Sequence, residues 1–271
     1  MDVATALRQG VELLERDHIA APRLTAEVLL AHALDCDRVG LYSHPERELT
    51  PVEQLHYGRY LYERLRRKPT QYITGRQEFY GREFRVHMGV LIPRPETEHV
   101  VETALRVAAG AIRVLDVGTG SGNLAVTLKK EWPQAEVFAS DISPDALAVA
   151  RWNASRLDAP VHYFRSDLLE ACRPGWFDLV VSNPPYIPLD QASGLPAEVR
   201  DYEPPVALFG DLYRRLLDGA ARVLRPGGWL IVEIPYNARE RIDALAGPAW
   251  DRGIVECDLA GFDRVLAWLL R

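Results

Sequence analysis

From Arg113 onward, short apolar runs alternate with segments of helical spacing. Strands separated in this way by helices form a parallel sheet, so this alternation limits the fold more than any other feature of the chain. The first run, Val114-Leu115-Asp116-Val117, leads into Gly118-Thr119-Gly120-Ser121-Gly122-Asn123 and then the helix-like Leu124-Ala125-Val126-Thr127-Leu128. The second, Ala135–Ser140, ends at Asp141. The third, Val161–Phe164, leads to Arg165-Ser166-Asp167-Leu168, and the fourth, Phe177–Ser182, ends at Asn183-Pro184-Pro185-Tyr186. Four successive strand ends therefore carry Asp116 with its glycine loop, Asp141, Asp167 and Asn183. In an open α/β sheet, ligands lie in the crevice at the carboxyl ends of the strands. A single acidic strand end reads equally as a helix cap, but four polar ends in order point to a nucleoside site.

The glycine loop agrees with that reading. Glycines let a ligand approach the backbone, and the following helix offers free N–H groups. The spacing is not the dinucleotide pattern G-x-G-x-x-G. No Lys or Arg stands in the loop to meet a pyrophosphate, which favours a nucleoside without phosphate. Asp141, at the end of the second strand, is placed to hold both ribose hydroxyls.

Asn183-Pro184-Pro185-Tyr186 poses a chemical question of its own. By itself the string also reads as a strand closing in a Pro-Pro turn. Its functional reading is a site for a planar nitrogen whose lone pair is conjugated, as in a carboxamide or the exocyclic amine of a base. The Asn183 side-chain oxygen and the Pro184 carbonyl can accept both N–H bonds of such a nitrogen and favour the charge that grows as it attacks an electrophile. Neither group is a base and none is needed, because an alkylated amide cation loses its proton to water. Pro185 holds Pro184 extended, and Tyr186 offers a flat face to the substrate.

Upstream, residues up to about Lys68 read as helices only, over Ala4–Arg16, Leu24–Leu34 and Pro51–Arg67, the last opened by Thr50 as cap and Pro51 in the first turn. Tyr72–Val90 reads as a β-hairpin turning at Gly81, and Glu96–Ala108 as a helix. Gly253–Cys257 and Val265–Leu270 read as a closing antiparallel pair. A hydrophobic fraction of 48% is that of a globular protein with a sizeable core. No run approaches the roughly 20 apolar residues of a membrane span, and Met1-Asp2-Val3-Ala4 carries no basic lead into an apolar stretch, so a cytoplasmic protein is expected. The widely spaced Cys36, Cys172 and Cys257 are expected to be buried and reduced, and neither they nor the histidines show metal-ligand spacing, so no metal is expected. A net charge of -6 argues against stable nucleic-acid binding. The basic run Arg64-Leu65-Arg66-Arg67-Lys68 reads either as a helix end or as a contact for an acidic partner.

Further stretches carry a resemblance: Gln71-Tyr72-Ile73-Thr74-Gly75, Phe79-Tyr80-Gly81, Leu91-Ile92-Pro93-Arg94-Pro95-Glu96-Thr97-Glu98, Asp201-Tyr202-Glu203-Pro204 and Asp258–Val265. With the glycine loop and Asn183–Tyr186, they make the chain similar, over nearly its whole length, to the class I S-adenosylmethionine-dependent methyltransferases. Within that class it resembles the protein-glutamine N5-methyltransferases of peptide chain release factors, the HemK/PrmC family. Two stretches depart from the family pattern: Asp211-Leu212-Tyr213 follows Gly210 without the usual acidic, glycine-containing insertion, and Glu233–Ala238 stands where glycines and a glutamine are usual.

The resemblance implies an α/β fold with a doubly wound, mostly parallel, seven-stranded sheet of Rossmann-like type, preceded by a small all-helical domain and a connecting hairpin. The expected division is a substrate-recognition domain over 1–68, a hairpin linker over 69–94 and a methyltransferase domain over 95–271. The implied cofactor is S-adenosylmethionine, leaving as S-adenosylhomocysteine. Its expected site comprises Asp116, Gly118, Thr119, Gly120, Ser121, Gly122, Asp141, Ile142, Asp167, Leu168 and Asn183. Asn183, Pro184 and Tyr186 are the expected catalytic residues, and Pro185, Arg94 and Glu96 join them at the substrate, with Glu98 near the mouth. The implied substrate is the glutamine of the Gly-Gly-Gln tripeptide in release factors, and a monomer is expected. Two other readings are open: an adenine N6-methyltransferase acting on DNA or RNA, for which a flipped base would stack on Tyr186, and a non-catalytic module that binds S-adenosylmethionine.

Overall fold

The computed structural model describes residues 1–251 and 253–271, which form two compact units. The first comprises Met1–Arg76 and Pro196–Tyr202. Its main helices are Val3–Arg16, Pro22–Ala33 and Pro51–Leu65. The last starts with a full capping box: Thr50 and Glu53 each accept the other's backbone N–H, and Pro51 occupies a position whose N–H is not needed. The inward faces bury Leu14, Ala26, Leu29, Leu30, Tyr57 and Leu61 as one core. Glu27, almost fully buried, is neutralised by Arg23 and Arg38 and accepts the Tyr42 hydroxyl. Pro196–Tyr202 joins this unit through an ion pair from Glu198 to the buried Arg64 and a bond from the Tyr202 hydroxyl to the Arg66 carbonyl. The segment 69–94 is divided between the two units at Arg76/Gln77.

The hairpin is shorter than the expected Tyr72–Val90. Its strands are β1 (Arg76–Phe79) and β2 (Arg82–Arg85). Thr70–Thr74 is instead a turn of helix, which Thr74 closes through its hydroxyl onto the Thr70 carbonyl. Phe79 and Phe84 insert edge to face into the core of the second unit.

The second unit holds a seven-stranded sheet of β3 (Arg113–Val117), β4 (Glu136–Asp141), β5 (His162–Arg165), β6 (Phe177–Ser182), β7 (Leu224–Glu233), β8 (Ile254–Cys257) and β9 (Asp263–Leu269). Their order is β5-β4-β3-β6-β7-β9-β8, with β3 to β7 parallel and β9 antiparallel to both of its neighbours. The strands read as near-continuous apolar runs because both faces are covered. Val114, Val137, Leu179 and Val181 pack on one face against helices Glu98–Val107 and Asn123–Glu131. Leu115, Val117, Val180 and Leu230 pack on the other, against helix Tyr213–Val223. From β3 the chain winds outward through β4 and β5, then returns to the other side of β3 with β6. The carboxyl ends of β3 and β6 therefore flank the point where strand order reverses, the place where such a sheet opens a crevice.

Of the three cysteines, Cys172 is buried and Cys36 partly so, but Cys257 is exposed, contrary to the expectation for it, because it closes the edge strand β8. No helix among the described residues is long and apolar enough to cross a membrane.

Candidate active site

A cavity of about 320 Å³ opens at this crevice, within the range usual for small-ligand sites. It brings together Gly118 and Gly120 after β3, Asp141 at the end of β4 with Ile142, Asp167 and Leu168 after β5, and Asn183, Pro184 and Pro185 after β6. A second, much smaller recess beside the glycine loop is lined by Arg94, Thr97, Thr119, Ser121 and again Asn183. The two recesses share Leu91, Gly118, Gly120 and Asn183.

Backbone geometry explains the loop composition. Gly118 and Gly120 have φ of 72° and 54°, a region that side chains disfavour. A Cβ at either would meet nothing within 4 Å, so these glycines leave the loop backbone open to a ligand. Gly122 works inward instead: a Cβ added there would lie 3.1 Å from the Ala150 methyl, too close for a larger residue to fit easily. The loop is braced from beneath by Asp116, which accepts the Thr119 hydroxyl at 2.6 Å and the Ala125 N–H at 3.2 Å. Burial pushes its carboxyl up to about 7. Asp116 is fully buried and lines neither recess, so it shapes the loop rather than facing a ligand.

Asn153, which sequence reasoning passed over, is a second brace. Its fully buried carboxamide donates to the Arg85 and Ser121 carbonyls at 3.0 and 2.8 Å and accepts the Arg85 N–H at 2.8 Å, tying the hairpin to the glycine loop. Replacing it with Leu strands three backbone groups and is expected to cost roughly 3 kcal/mol or more, at about 1 kcal/mol or more for each stranded group. A lower urea midpoint at unchanged m-value would show this. An unaltered midpoint would mean that water takes over all three bonds.

Asp141 accepts the Gly120 N–H at 2.9 Å through one oxygen and the Ser143 N–H at 2.9 Å through the other. A carboxylate oxygen can accept more than one hydrogen bond, and Asp141 lines the cavity. Burial raises its pKa, against the opposing pull of these backbone donors. Asp167 is paired with Arg215 at 2.9 Å, and both line the cavity beside Leu168.

The Asn183 side chain is held by its nitrogen. Nδ2 donates to Thr97 Oγ1 at 3.1 Å, and Thr97 donates in turn to Glu233 Oε2 at 2.5 Å. Asn183 Oδ1 is left without a donor among the described residues, and Asn183 lines both recesses. Tyr186 lines neither recess. It packs against the core around β7, and its hydroxyl reaches Glu233 Oε1 at 3.4 Å. Burial, with the Glu233 carboxylate beside it, drives the phenol pKa well up. Glu96 lines neither recess, and Glu98 accepts the Tyr80 N–H at 2.7 Å. Arg94 is paired with the buried Glu203, which also accepts the Ile92 N–H at 3.2 Å. Glu203 thus fixes the segment 92–94 at the wall of the site. It stands in Asp201-Tyr202-Glu203-Pro204, and the resemblance carried by that stretch was the available signal. Thr97 also stands in a resembling stretch, Leu91–Glu98, but its role and that of Glu233 depend on a contact across 136 residues.

Residues 5–75 match the family model described as the PrmC N-terminal domain, and residues 99–194 that of the Methyltransferase small domain. The chain is 46% identical to a release factor glutamine methyltransferase of Koribacter versatilis, over 98% of this chain and 98% of that protein. To one of Geobacter sulfurreducens it is 44% identical, over 90% and 88% of the two chains. Among solved structures, a methyltransferase from Pyrococcus furiosus is similar with a TM-score of 0.53 at 20% identity, covering 70% of this chain and 90% of that one. A Thermus thermophilus 16S rRNA methyltransferase in complex with AdoMet and guanosine gives 0.53 at 20% identity, covering 72% and 50%. At such identity the likeness is one of fold.

Proposed function

The chain belongs to the release factor glutamine methyltransferases, and from that membership we propose that it methylates the side-chain nitrogen (N5) of the glutamine in the Gly-Gly-Gln tripeptide of a peptide chain release factor, with S-adenosylmethionine as donor. The observation that carries the reading is the Asn183 carboxamide, tethered through its nitrogen to Thr97, with no donor to its oxygen among the described residues, in a side chain that lines the crevice.

The residues present suit the donor. Gly118 and Gly120 leave open space beside the backbone, Asp141 keeps acceptor capacity for two ribose hydroxyls, and Ile142 and Leu168 supply apolar walls for a base. When bound, S-adenosylmethionine supplies a methyl group activated by its sulfonium, and the bonding pair leaves with sulfur as S-adenosylhomocysteine. Asn183 Oδ1 and the Pro184 carbonyl accept the two N–H bonds of the glutamine amide, drawing its lone pair out of conjugation toward the methyl carbon. As the N–C bond forms, positive charge grows on nitrogen against these two acceptors, and the surplus proton passes to water. Pro185 and the chain that follows are locked in place, since Ile187 exchanges hydrogen bonds with Leu208 and Gly210, and Gly210 packs against the Pro185 ring. Two small residues before the glutamine would let the substrate segment enter a narrow mouth.

The test is transfer from labelled S-adenosylmethionine to a purified release factor, with a Gln-to-Ala tripeptide mutant and adenine-rich DNA as parallel acceptors. Label in the wild-type factor alone is the expected result. Label in the DNA would replace this reading with that of an adenine methyltransferase.

A further inference from the structure

Building on that reading, we propose that Thr97 and Glu233 are positioning residues that set the direction of the Asn183 carboxamide, so that its oxygen and not its NH₂ meets the substrate nitrogen.

A side-chain amide is nearly symmetrical in shape, and rotation by 180° exchanges an acceptor for two donors. The wrong orientation would put N–H against N–H at the reacting amide. Something must therefore select one orientation, and packing cannot do so. The hydrogen bonds around Thr97 can. Its hydroxyl has one proton, and when Glu233 is ionised that proton goes to the carboxylate, because a carboxylate only accepts. The Thr97 oxygen is then only an acceptor toward Asn183, which must offer Nδ2. Oδ1 is thereby turned toward the site. Thr97 and Glu233 are both almost fully buried, so water does not compete for these bonds. Glu233 is itself held in place. It ends β7, and its backbone carbonyl accepts the Tyr213 hydroxyl at 3.0 Å.

Protonation of Glu233 removes the selection. A neutral carboxyl can donate to the Thr97 oxygen, which frees the Thr97 proton for Asn183 Oδ1 and stabilises the reversed amide. The groups facing Glu233 are Thr97 and Glu96 from the turn Pro95–Thr97, Tyr186 from the loop after β6, Arg264 from β9 and Tyr213 from its helix. Burial first, and then the Glu96 charge, push the Glu233 carboxyl up to about 7, against the bonds from Thr97 and Tyr186 and the Arg264 charge. The ionised form is the productive one, so kcat should rise with pH through that value and level off above it.

The experiment combines kinetics with the side-chain amide signal of Asn183 in ¹⁵N–¹H spectra, assigned by its loss in Asn183→Ala. Thr97→Val should lower kcat about tenfold, the scale of one lost neutral hydrogen bond, with cofactor dissociation constant unchanged. Thr97→Ser, which restores the hydroxyl, should recover most of it. Glu233→Gln should remove the acid limb of the kcat profile and make the Asn183 NH₂ signal insensitive to pH, whereas in wild type that signal should titrate with the same midpoint as kcat. A Thr97→Val enzyme with wild-type kcat, a Thr97→Ser enzyme no better than it, or an Asn183 signal that ignores both substitutions and pH would each overturn the relay. The spectra need no acceptor substrate. A titrating, Thr97-dependent signal in an enzyme that methylates no glutamine would therefore uphold the relay and overturn the functional reading.

Discussion

Replacing Asn183 with alanine should lower kcat for glutamine methylation by about 10²-fold or more while leaving cofactor affinity nearly intact, the scale of one transition-state hydrogen-bond partner lost. The expectation follows from where the side chain is held. Its nitrogen is engaged with Thr97 and its oxygen has no donor among the described residues in a side chain that lines the crevice, so on the proposed reading truncation removes an acceptor at the reacting amide. The cofactor contacts expected from Gly118, Gly120 and Asp141 rest on backbone bonds independent of this side chain, such as those from Gly118 and Thr119 N–H to the Ser140 carbonyl. The effect should fall on kcat because the interaction strengthens as charge develops on nitrogen, whereas ground-state binding draws on the whole protein substrate. Kinetics at saturating S-adenosylmethionine, with calorimetry for the cofactor, separate the two. A raised cofactor dissociation constant with normal turnover would move Asn183 from the acceptor role to the cofactor site.

What could be read from the chain beforehand divides along a physical line. The sheet was legible because buried strands and their helices impose periodic apolar patterns, and the polar residues that interrupt them at Asp141, Asp167 and Asn183 do converge on one cavity. Local geometry was legible too, as at Thr50-Pro51, where a capping box depends on neighbours three residues apart. Roles fixed by distant partners were not. Asp116 and Asp141 look alike as acidic strand ends, yet one is sealed beneath the loop and the other lines the cavity, a difference set by their level in the sheet, since Asp116 pairs with Ala139, two residues short of Asp141. Tyr186 was expected to stack on substrate because it follows the prolines, but Glu233 and the core around β7 claim it. Asn153, Thr97, Glu203 and Glu233 act through contacts that span between 32 and 136 residues, and no pattern within a helix or strand betrays them.

Replacing Asp141 with alanine should give the complementary result: S-adenosylmethionine bound about 10²-fold more weakly, with kcat at saturating cofactor changed only a few-fold. Two hydrogen bonds to a charged carboxylate contribute about 1.5–3 kcal/mol each, so the loss of even part of that pair reaches two decades. The carboxylate also holds Gly120 N–H and Ser143 N–H, one on each oxygen. Removing it therefore loosens the glycine loop in addition to deleting acceptors for the ribose. Asp141→Asn separates these contributions. An amide has one acceptor oxygen, so it can keep one backbone N–H but not both, and it presents a donor where the second stood. Its affinity should lie nearer to alanine than to wild type. Because Asp141 and Asn183 lie on opposite sides of the reversal in strand order, one at the end of β4 and the other after β6, their effects should add without coupling in the double variant. A dissociation constant unmoved by either substitution at Asp141 would remove it from the cofactor site. A collapse of kcat at normal affinity would mean that the loop it braces positions the reacting methyl group.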